Sequence, residues 1–433
     1  MTQYAVDYDL AILGGSYSSR LAASIAAQRG ARVALIAPTW NDSDRSNHLL
    51  RLLSDSSLDS LLSTGISLRD WGQYERPDST PAALRLQGID VILEPARFTQ
   101  DRTLQLANRS LNASRYLLTD GYGVAAIAKT PESLPCHQLS QLKAIPPKLT
   151  VVGRGASAVE WAYGLSRIAT VSLTVLDRVL LPAEDIDIQR LVAAQFRSLG
   201  ISVSAMGSKA GIVLEPLQDH LWVTVPDAFN WDASRLDNIG ITDSPIAVNS
   251  YLQSSYPRVY VSGSSLGGEN RAELTQQETT VALNNALFDR HQPMRYEQAF
   301  YSINLLSPVG RWGLTERQAR ERYGADVQIF QASYLPDMAV HASETNFCKL
   351  ISQGSRILGV HLMGPGAPEF VASLGHWPTL DALHQQIGAS VKPKTLSQAI
   401  YQAIEQYQTS RWCEGQWRRD WAENWFNFRR STG

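Results

Sequence analysis

Apolar and polar positions follow the same order in two separate stretches of the chain. Each stretch opens with a short apolar run typical of a buried parallel strand, continues through a glycine-containing turn into a helical pattern, and closes with a second apolar run. The strand, helix and strand are predicted at 8–13, 20–28 and 32–37 in the first stretch and at 148–152, 159–166 and 171–176 in the second. The pattern therefore predicts a strand–helix–strand unit twice in one chain.

The turn of the second unit contains the residue types that a dinucleotide-binding loop needs. Gly153 permits a tight turn, Gly155 lets the backbone approach a pyrophosphate, and Ala158 is small enough for close packing of helix on strand. The helix N-terminus then offers backbone N–H groups to the phosphates. Asp177 ends the second strand, where a carboxylate accepts hydrogen bonds from the ribose of NAD(H). Arg178 follows directly, so the 2′-phosphate of NADP(H) stays open as an alternative.

The turn of the first unit departs from this pattern. Gly14 and Gly15 are present, but Ser16 and Ser19 stand where the second and third glycines are expected. Ala37 occupies the position of the ribose-binding acid. The motif alone leaves two interpretations open, a nucleotide site with fewer contacts or a strand–helix–strand unit that only packs.

Composition narrows the class of protein. The chain has 433 residues, 44% hydrophobic and 18% charged, which is typical of a globular protein of about three domains. A net charge of -2 argues against a nucleic-acid partner, because such proteins carry a large basic excess. The first apolar run is too short for a targeting segment, and no stretch reaches the roughly 18 apolar residues of a membrane-spanning helix. We therefore expect a cytoplasmic protein, or one peripheral to a membrane.

Cysteine usage limits the redox chemistry of the chain. The three cysteines, Cys136, Cys348 and Cys413, show neither CxxC nor CxxxxC spacing. Thiol–disulfide exchange requires a thiolate within reach of its target, so the sequence predicts no local redox dithiol. The cysteines are interpreted as small packing residues, and no metal site is predicted.

Several segments, in their order along the chain, resemble the pyridine nucleotide-disulfide oxidoreductase family. They are YDLAILGGSYSSRLAASIAAQRGARVALIAP, VILEPARFTQDRTLQLANRSLNASRYLLTDG, LTVVGRGASAVEWAYGL, LTVLDRVLLPAEDIDIQRLV, PRVYVSGSSLGG, RWGLTERQARERYG and RILGVHLMGPGAPEFV. The resemblance covers nearly the whole chain. It implies an α/β fold with two Rossmann-like FAD/NAD(P)-binding domains and a C-terminal α+β dimerisation domain, and hence a homodimer.

The resemblance also implies domain boundaries and cofactor contacts. The FAD-binding domain comprises 1–147 and 246–295, the NAD(P)-binding domain 148–245 and the dimerisation domain 296–405, with a tail at 406–433. The implied FAD contacts are Gly14, Gly15, Ser16, Ser19, Gly121, Gly263 and Ser264, and the implied NAD(H) contacts are Gly153, Gly155, Ala158, Glu160 and Asp177. In the family, the acid corresponding to Glu160 lies near the nicotinamide and the flavin, which makes it a possible catalytic residue.

Three features of the family are absent from this sequence. No CxxxxC follows the first unit, where the chain reads PTWNDSDRSNHLLRLLSDSS. The family's His–Glu dyad is also missing, because VKPKTLSQ has Gln398 in place of the glutamate and supplies no histidine. His376 and His384 are interpreted as surface or packing residues. Ser264 replaces the aspartate that would hold the ribityl chain of FAD.

These differences predict which chemistry is left. The sequence predicts an FAD- and NAD(P)H-dependent flavoprotein that passes electrons to a non-disulfide acceptor, with NAD(H) favoured over NADP(H). The alternative is a non-catalytic scaffold or regulator that retains the fold and the dimer interface.

The C-terminal tail is rich in tryptophan and arginine. Trp417, Trp421 and Trp425 recur every four residues, which places them on one face of a helix. Such a face packs either on the protein's own dimerisation domain or, because arginines accompany it, on a membrane surface or a protein partner.

Overall fold

The computed structural model describes residues 6–38, 40, 42–54, 79–119, 133–142, 144–206, 220–225, 235–268, 271–334, 345–374, 377–387, 395–414 and 416–432. The chain divides into two compact units. The first unit comprises Met1–Ala183 and Leu191–Arg295, and the second comprises Glu184–Arg190 and Tyr296–Gly433. Each unit is therefore built from two separate pieces of sequence.

Helices connect parallel strands in two stretches of the first unit, whereas in the second unit five strands, interrupted by one helix, precede a group of helices. The helices are α1 (Tyr17–Gln28), α2 (Asp42–Ser54), α3 (Pro81–Leu86), α4 (Gly155–Ser166), α5 (Ile186–Ser198), α6 (Ala272–Phe288), α7 (Glu316–Tyr323), α8 (Ala367–Ser373), α9 (Leu380–Ile387), α10 (Leu396–Glu414) and α11 (Gln416–Thr432). The strands are β1 (Tyr8–Leu13), β2 (Val33–Ile36), β3 (Asp90–Ile92), β4 (Arg97–Phe98), β5 (Leu104–Gln105), β6 (Ser110–Leu111), β7 (Ala113–Leu118), β8 (Ser133–Pro135), β9 (Lys148–Gly153), β10 (Thr170–Val175), β11 (Ser202–Ala205), β12 (His220–Thr224), β13 (Val259–Val261), β14 (Phe300–Ile303), β15 (Val309–Gly313), β16 (Val327–Tyr334), β17 (Asn346–Gln353) and β18 (Arg356–Met363).

Two parallel sheets form the first unit. Their strand orders are β13-β7-β1-β2-β3 and β11-β10-β9-β12-β8, and every strand pair in both sheets is parallel. The two predicted strand–helix–strand units are confirmed as β1–α1–β2 and β9–α4–β10. Helix α1 begins at Tyr17, earlier than the apolar pattern predicts, because the Ser16 side chain caps it by accepting the Ser19 N–H.

Strand β1 shows why four consecutive positions of its sequence, 10–13, are apolar. Leu10 and Ile12 pack into one hydrophobic cluster, and Ala11 and Leu13 pack into another. All four residues are fully buried. Because successive side chains of a strand point to opposite faces, the sheet must be covered on both sides, as expected for parallel strands.

An antiparallel sheet with strand order β14-β15-β18-β17-β16 forms the centre of the second unit. Helix α10 packs on this sheet through residues spaced by a helical turn, among them Ile400 and Ile404, which share a cluster with Leu350 of β17 and Leu362 of β18. The sheet and its helices confirm the predicted α+β character of the C-terminal region.

A buried lysine holds three carboxylates together in the second unit. Lys349 of β17 is 1% exposed, and its Nζ lies 2.7 Å from Asp187, 2.7 Å from Glu316 and 3.5 Å from Asp185. We call these four residues the Lys349 cluster. The cluster joins the short segment Glu184–Arg190 to the sheet and to the start of α7.

Glu184, beside this cluster, is also buried among charged and polar groups. Its carboxylate lies 3.6 Å from Nη1 of Arg311 and 3.7 Å from Nδ1 of His361, and the Tyr301 hydroxyl donates a hydrogen bond to it. Burial alone would raise the pKa of this carboxyl, but its interactions with His361, Arg311 and Tyr301 outweigh burial and lower the pKa to about 2. Glu184 therefore stays ionised inside the unit.

The tail forms helix α11, as the tryptophan spacing predicts. The side chains of Trp421 and Trp425 are 54% and 47% exposed, and their rings stack with centroids 6.0 Å apart. The Trp417 side chain lies outside the described part of the structure. No described helix is both long enough and apolar enough to cross a membrane.

Candidate nucleotide sites

The Gly153 turn brings β9 and α4 closer together than any side chain at position 153 would allow. A Cβ atom there would lie 2.9 Å from the Cβ of Ala158 and 3.0 Å from the Cβ of Val225. Gly155 begins α4 with a positive φ of 55°. This close approach of strand and helix is typical of a pyrophosphate-binding turn.

Asp177 lies beside this turn, just beyond the end of β10. Its Oδ2 accepts the backbone N–H of Gly155 at 3.3 Å, and its Oδ1 accepts Nη1 of Arg154 at 2.9 Å. The side chain keeps 19% of its surface exposed. Gly153, Gly155, Ala158 and Asp177 are thus brought together as predicted by their spacing, and they fit a pyridine dinucleotide.

A chain of hydroxyl groups replaces the missing glycines at the Gly14 turn, where Gly14 has a φ of 142°. Oγ of Ser19 lies 2.9 Å from Oγ of Ser16 and 2.7 Å from Oγ1 of Thr119, and Thr119 donates to the Leu13 carbonyl at 3.0 Å. Because Thr119 donates to a carbonyl, it must accept from Ser19. Ser19 is fully buried, so its hydroxyl serves to join α1 to the end of β7.

Thr119 also connects this turn to the Gly263 turn that follows β13. Its carbonyl accepts the Ser265 hydroxyl at 3.1 Å. A Cβ on Gly263 would lie 3.0 Å from Cγ2 of Thr275 and 3.2 Å from that same carbonyl, and Gly263 has a φ of 71°. The two turns therefore meet at the carboxyl edge of one parallel sheet, where this fold class binds nucleotides. Gly121 lies outside the described residues.

The residues at this edge fit FAD in two of its parts. The N-terminus of α1 can receive the pyrophosphate. Oγ of Ser264 is buried and has no hydrogen-bond partner among the described residues, which suits a polar chain such as the ribityl group. Position 37 contributes less, because Ala37 is fully buried and has no side-chain acceptor for a ribose.

Glu160 forms a buried ion pair that the sequence did not predict. Oε2 of Glu160 accepts Nη1 of Arg271 at 2.6 Å, and Oε1 accepts Nη2 at 2.7 Å. Only 3% of the Glu160 side chain and 7% of the Arg271 side chain are exposed. The two residues are far apart in the chain, and no motif marks Arg271, so the sequence offered no signal for the pair.

The two cysteines whose side chains the structure describes are unsuited to thiol–disulfide exchange. Cys136 and Cys348 are both buried. Burial raises the pKa of the Cys136 thiol to about 12 and raises that of Cys348 as well. A thiol with so high a pKa is a poor nucleophile. The Cys413 side chain lies outside the described part of the structure.

His384 has a carboxylate partner that the sequence did not indicate. Its Nε2 lies 3.0 Å from Oε1 of Glu405, and its ring stacks on Tyr401 with centroids 6.0 Å apart. Both side chains of the pair are partly exposed, at 33% and 44%. His376 lies outside the described residues.

Comparison with known proteins identifies relatives with this architecture. Residues 148–206 match the family model described as pyridine nucleotide-disulphide oxidoreductase, and residues 305–401 match its dimerisation domain. The chain is 24% identical to a dihydrolipoyl dehydrogenase of Bacillus subtilis, over 91% of this chain and 97% of that protein. It is 23% identical to a mercuric reductase of Staphylococcus aureus, over 91% of this chain and 80% of that protein.

A solved structure shares the fold. LpdA from Mycobacterium tuberculosis superimposes with a TM-score of 0.70 at 18% sequence identity, covering 92% of this chain and 99% of that chain. Both family models match in the same order as the observed sheets, and the relatives cover nearly the full length. The chain is thus similar to the pyridine nucleotide-disulfide oxidoreductase family in two domain models and along nearly its whole length.

Proposed function

We propose that the protein is an FAD- and NAD(P)H-dependent oxidoreductase that passes electrons to a non-disulfide acceptor. Similarity to the family implies binding of FAD and NAD(P)H. The observation that carries the proposal is the pair of turns at Gly14 and Gly153, each placed after a parallel strand and before a helix N-terminus. Two such turns in one unit suit one flavin and one nicotinamide dinucleotide.

The residues of this chain hold, orient and separate the two cofactors. When bound, the two cofactors would supply the chemistry of hydride transfer from nicotinamide to flavin and of onward electron transfer. The Gly14 turn and Ser264 would hold the flavin nucleotide, and the Gly153 turn with Asp177 would hold the pyridine nucleotide. Thr119 would keep the two parts of the flavin site together through its bonds to Ser19 and Ser265.

The proposal of a non-disulfide acceptor rests on sulfur chemistry. The chain has three cysteines, and no two are spaced as a local dithiol. Cys136 and Cys348 are buried thiols with raised pKa values, which keeps them protonated at neutral pH. Quinones, metal ions and small redox proteins accept electrons from a reduced flavin without a thiol.

NADH is proposed as the preferred donor over NADPH. Asp177 stands where its carboxylate can accept hydrogen bonds from a ribose 2′-hydroxyl, and a 2′-phosphate there would meet a negative charge. Arg154 and the neighbouring Arg178 moderate this repulsion, so the preference is expected to be partial.

A visible spectrum of the purified full-length protein tests the proposal. A flavin spectrum, bleached anaerobically by NADH faster than by NADPH, is the expected result. Faster bleaching by NADPH would contradict the role given to Asp177. A colourless protein that takes up no added FAD would instead support the alternative, a non-catalytic scaffold. One observation favours this alternative: the buried Ala37 offers no side-chain acceptor for a ribose.

The partner proposals concern the second unit. The match to the dimerisation domain suggests a homodimer.

We also propose that α11 binds an anionic membrane surface, which would make a cytoplasmic protein peripheral to a membrane. Trp421, Trp425 and Phe428 are about half exposed, and the exposed Arg429 and Arg430 supply positive charge at the same helix.

Replacing Trp421, Trp425 and Phe428 together by serine is expected to abolish co-sedimentation with vesicles of anionic lipid. The rings lose their contact with the bilayer interface, while the arginines alone give only weak attraction. Leu86→Ser removes an apolar side chain elsewhere that is even more exposed, at 90%, and serves as the control. Equal co-sedimentation of the triple variant and the control would contradict the membrane proposal.

A further inference from the structure

The buried Glu160–Arg271 pair connects two helices, each of which serves one nucleotide turn. Glu160 lies on α4, five residues after Gly155, and Arg271 is the N-cap residue of α6. Both carboxylate oxygens and both terminal nitrogens of the guanidinium are used, at 2.6 and 2.7 Å. This bidentate geometry restrains direction as well as distance.

Helix α6 is in turn fixed to the Gly263 turn by the side chains of two successive residues. Oε2 of Glu278 accepts the backbone N–H of Gly263 at 2.8 Å, and Oγ1 of Thr279 lies 2.9 Å from Oγ of Ser262. All of these side chains are buried. The Gly153 turn is therefore linked to the Gly263 turn in three steps: along α4 to Glu160, across the ion pair to Arg271, and along α6 to Glu278.

The energetic cost of this arrangement indicates a role beyond stability. Removing two charges from water is expensive, and apolar residues of similar volume often give equal or greater stability than a buried ion pair. What an apolar pair cannot supply is a fixed direction between two helices. The pair is therefore better suited to setting geometry than to holding the unit together.

We propose that Arg271 is a positioning residue, which acts through Glu160 to set the separation between the Gly153 turn and the Gly263 turn. This inference rests on the proposed function. Its consequence is that loss of the pair slows hydride transfer from nicotinamide to flavin while leaving the binding of both cofactors nearly unchanged. Hydride transfer is sensitive to placement, since a misplacement of about 1 Å can slow a reaction about a hundredfold.

The test is anaerobic stopped-flow reduction of the FAD-loaded full-length protein over a range of NADH concentrations, which separates the limiting rate from the NADH dissociation constant. Arg271→Met is expected to lower the limiting rate about tenfold or more, with flavin content and dissociation constant within about threefold of wild type. Arg271→Lys keeps the charge but loses one of the two contacts, so an intermediate rate is expected.

Two further variants separate positioning from folding. Glu160→Gln combined with Arg271→Met removes the pair without leaving a buried unpaired charge, so stability should recover while the rate stays low. Arg109→Met breaks the exposed pair with Asp90 in the same unit and should leave the rate unchanged. A limiting rate for the double variant equal to that of wild type would overturn the inference. Wild-type protein that NADH does not reduce would show instead that the proposed function is wrong, and the inference would fail with it.

Discussion

Replacement of Lys349 by methionine is expected to lower the free energy of unfolding of the second unit by about 3–5 kcal/mol, because it leaves one buried and two partly buried carboxylates without their shared cation. Lys349 is 1% exposed and lies within 4 Å of Asp185, Asp187 and Glu316. Methionine keeps the length of the side chain, so little packing is lost and the electrostatic effect dominates. Hydrogen–deuterium exchange of peptides from β17 and β18 reports the loss as faster opening.

The control for this variant is an ion pair in the same unit that is open to solvent. Arg317 and Glu321 lie one helical turn apart on α7, with a separation of 3.7 Å and side chains 73% and 63% exposed. Arg317→Met should change the free energy of opening measured by exchange by no more than about 1 kcal/mol. Equal effects of the two variants would show that the cation at position 349 is not what holds the cluster.

Gly359→Ala is expected to destabilise the same unit by about 3 kcal/mol, for a steric reason rather than an electrostatic one. A Cβ on Gly359 would lie only 2.0 Å from the carbonyl oxygen of Leu314 and 3.0 Å from its carbonyl carbon. Both atoms are backbone, so no rotamer change relieves the clash. Strands β15 and β18 would have to separate where Gly313 pairs with Gly359.

The matched substitution is Gly268→Ala in the first unit. No atom lies within 4 Å of a Cβ at that position, so the added methyl group should be tolerated. Thermal unfolding followed by circular dichroism, together with exchange at β18, distinguishes the two variants. Unchanged exchange at β18 in Gly359→Ala would contradict the close approach of Leu314.

The fold could be predicted from the sequence because its signals are local. The apolar run at 10–13 lies next to Gly14 and Gly15, and strand Lys148–Gly153 lies next to Gly155, so each signal is recognised without knowledge of the rest of the chain. The four-residue spacing of the tryptophans predicted α11 for the same reason. Helix starts were predicted less well, since a serine cap at Ser16 depends on one side-chain hydrogen bond.

The contacts within the candidate sites could not be predicted, because they join distant segments. Arg271 is 111 residues from Glu160, and Thr119 is 100 residues from Ser19. A buried arginine and an exposed one look the same in a sequence. Similarly, nothing in the sequence links His384 to Glu405.

The composition of the second unit has a practical consequence for anyone dividing this protein into parts. Glu184–Arg190 belongs to that unit, although Leu191–Arg295 belongs to the first. A recombinant fragment that starts at Tyr296 would carry Lys349 and Glu316 but lack Asp185 and Asp187. The antiparallel module therefore cannot be excised, grafted or exchanged between relatives as one continuous piece of gene.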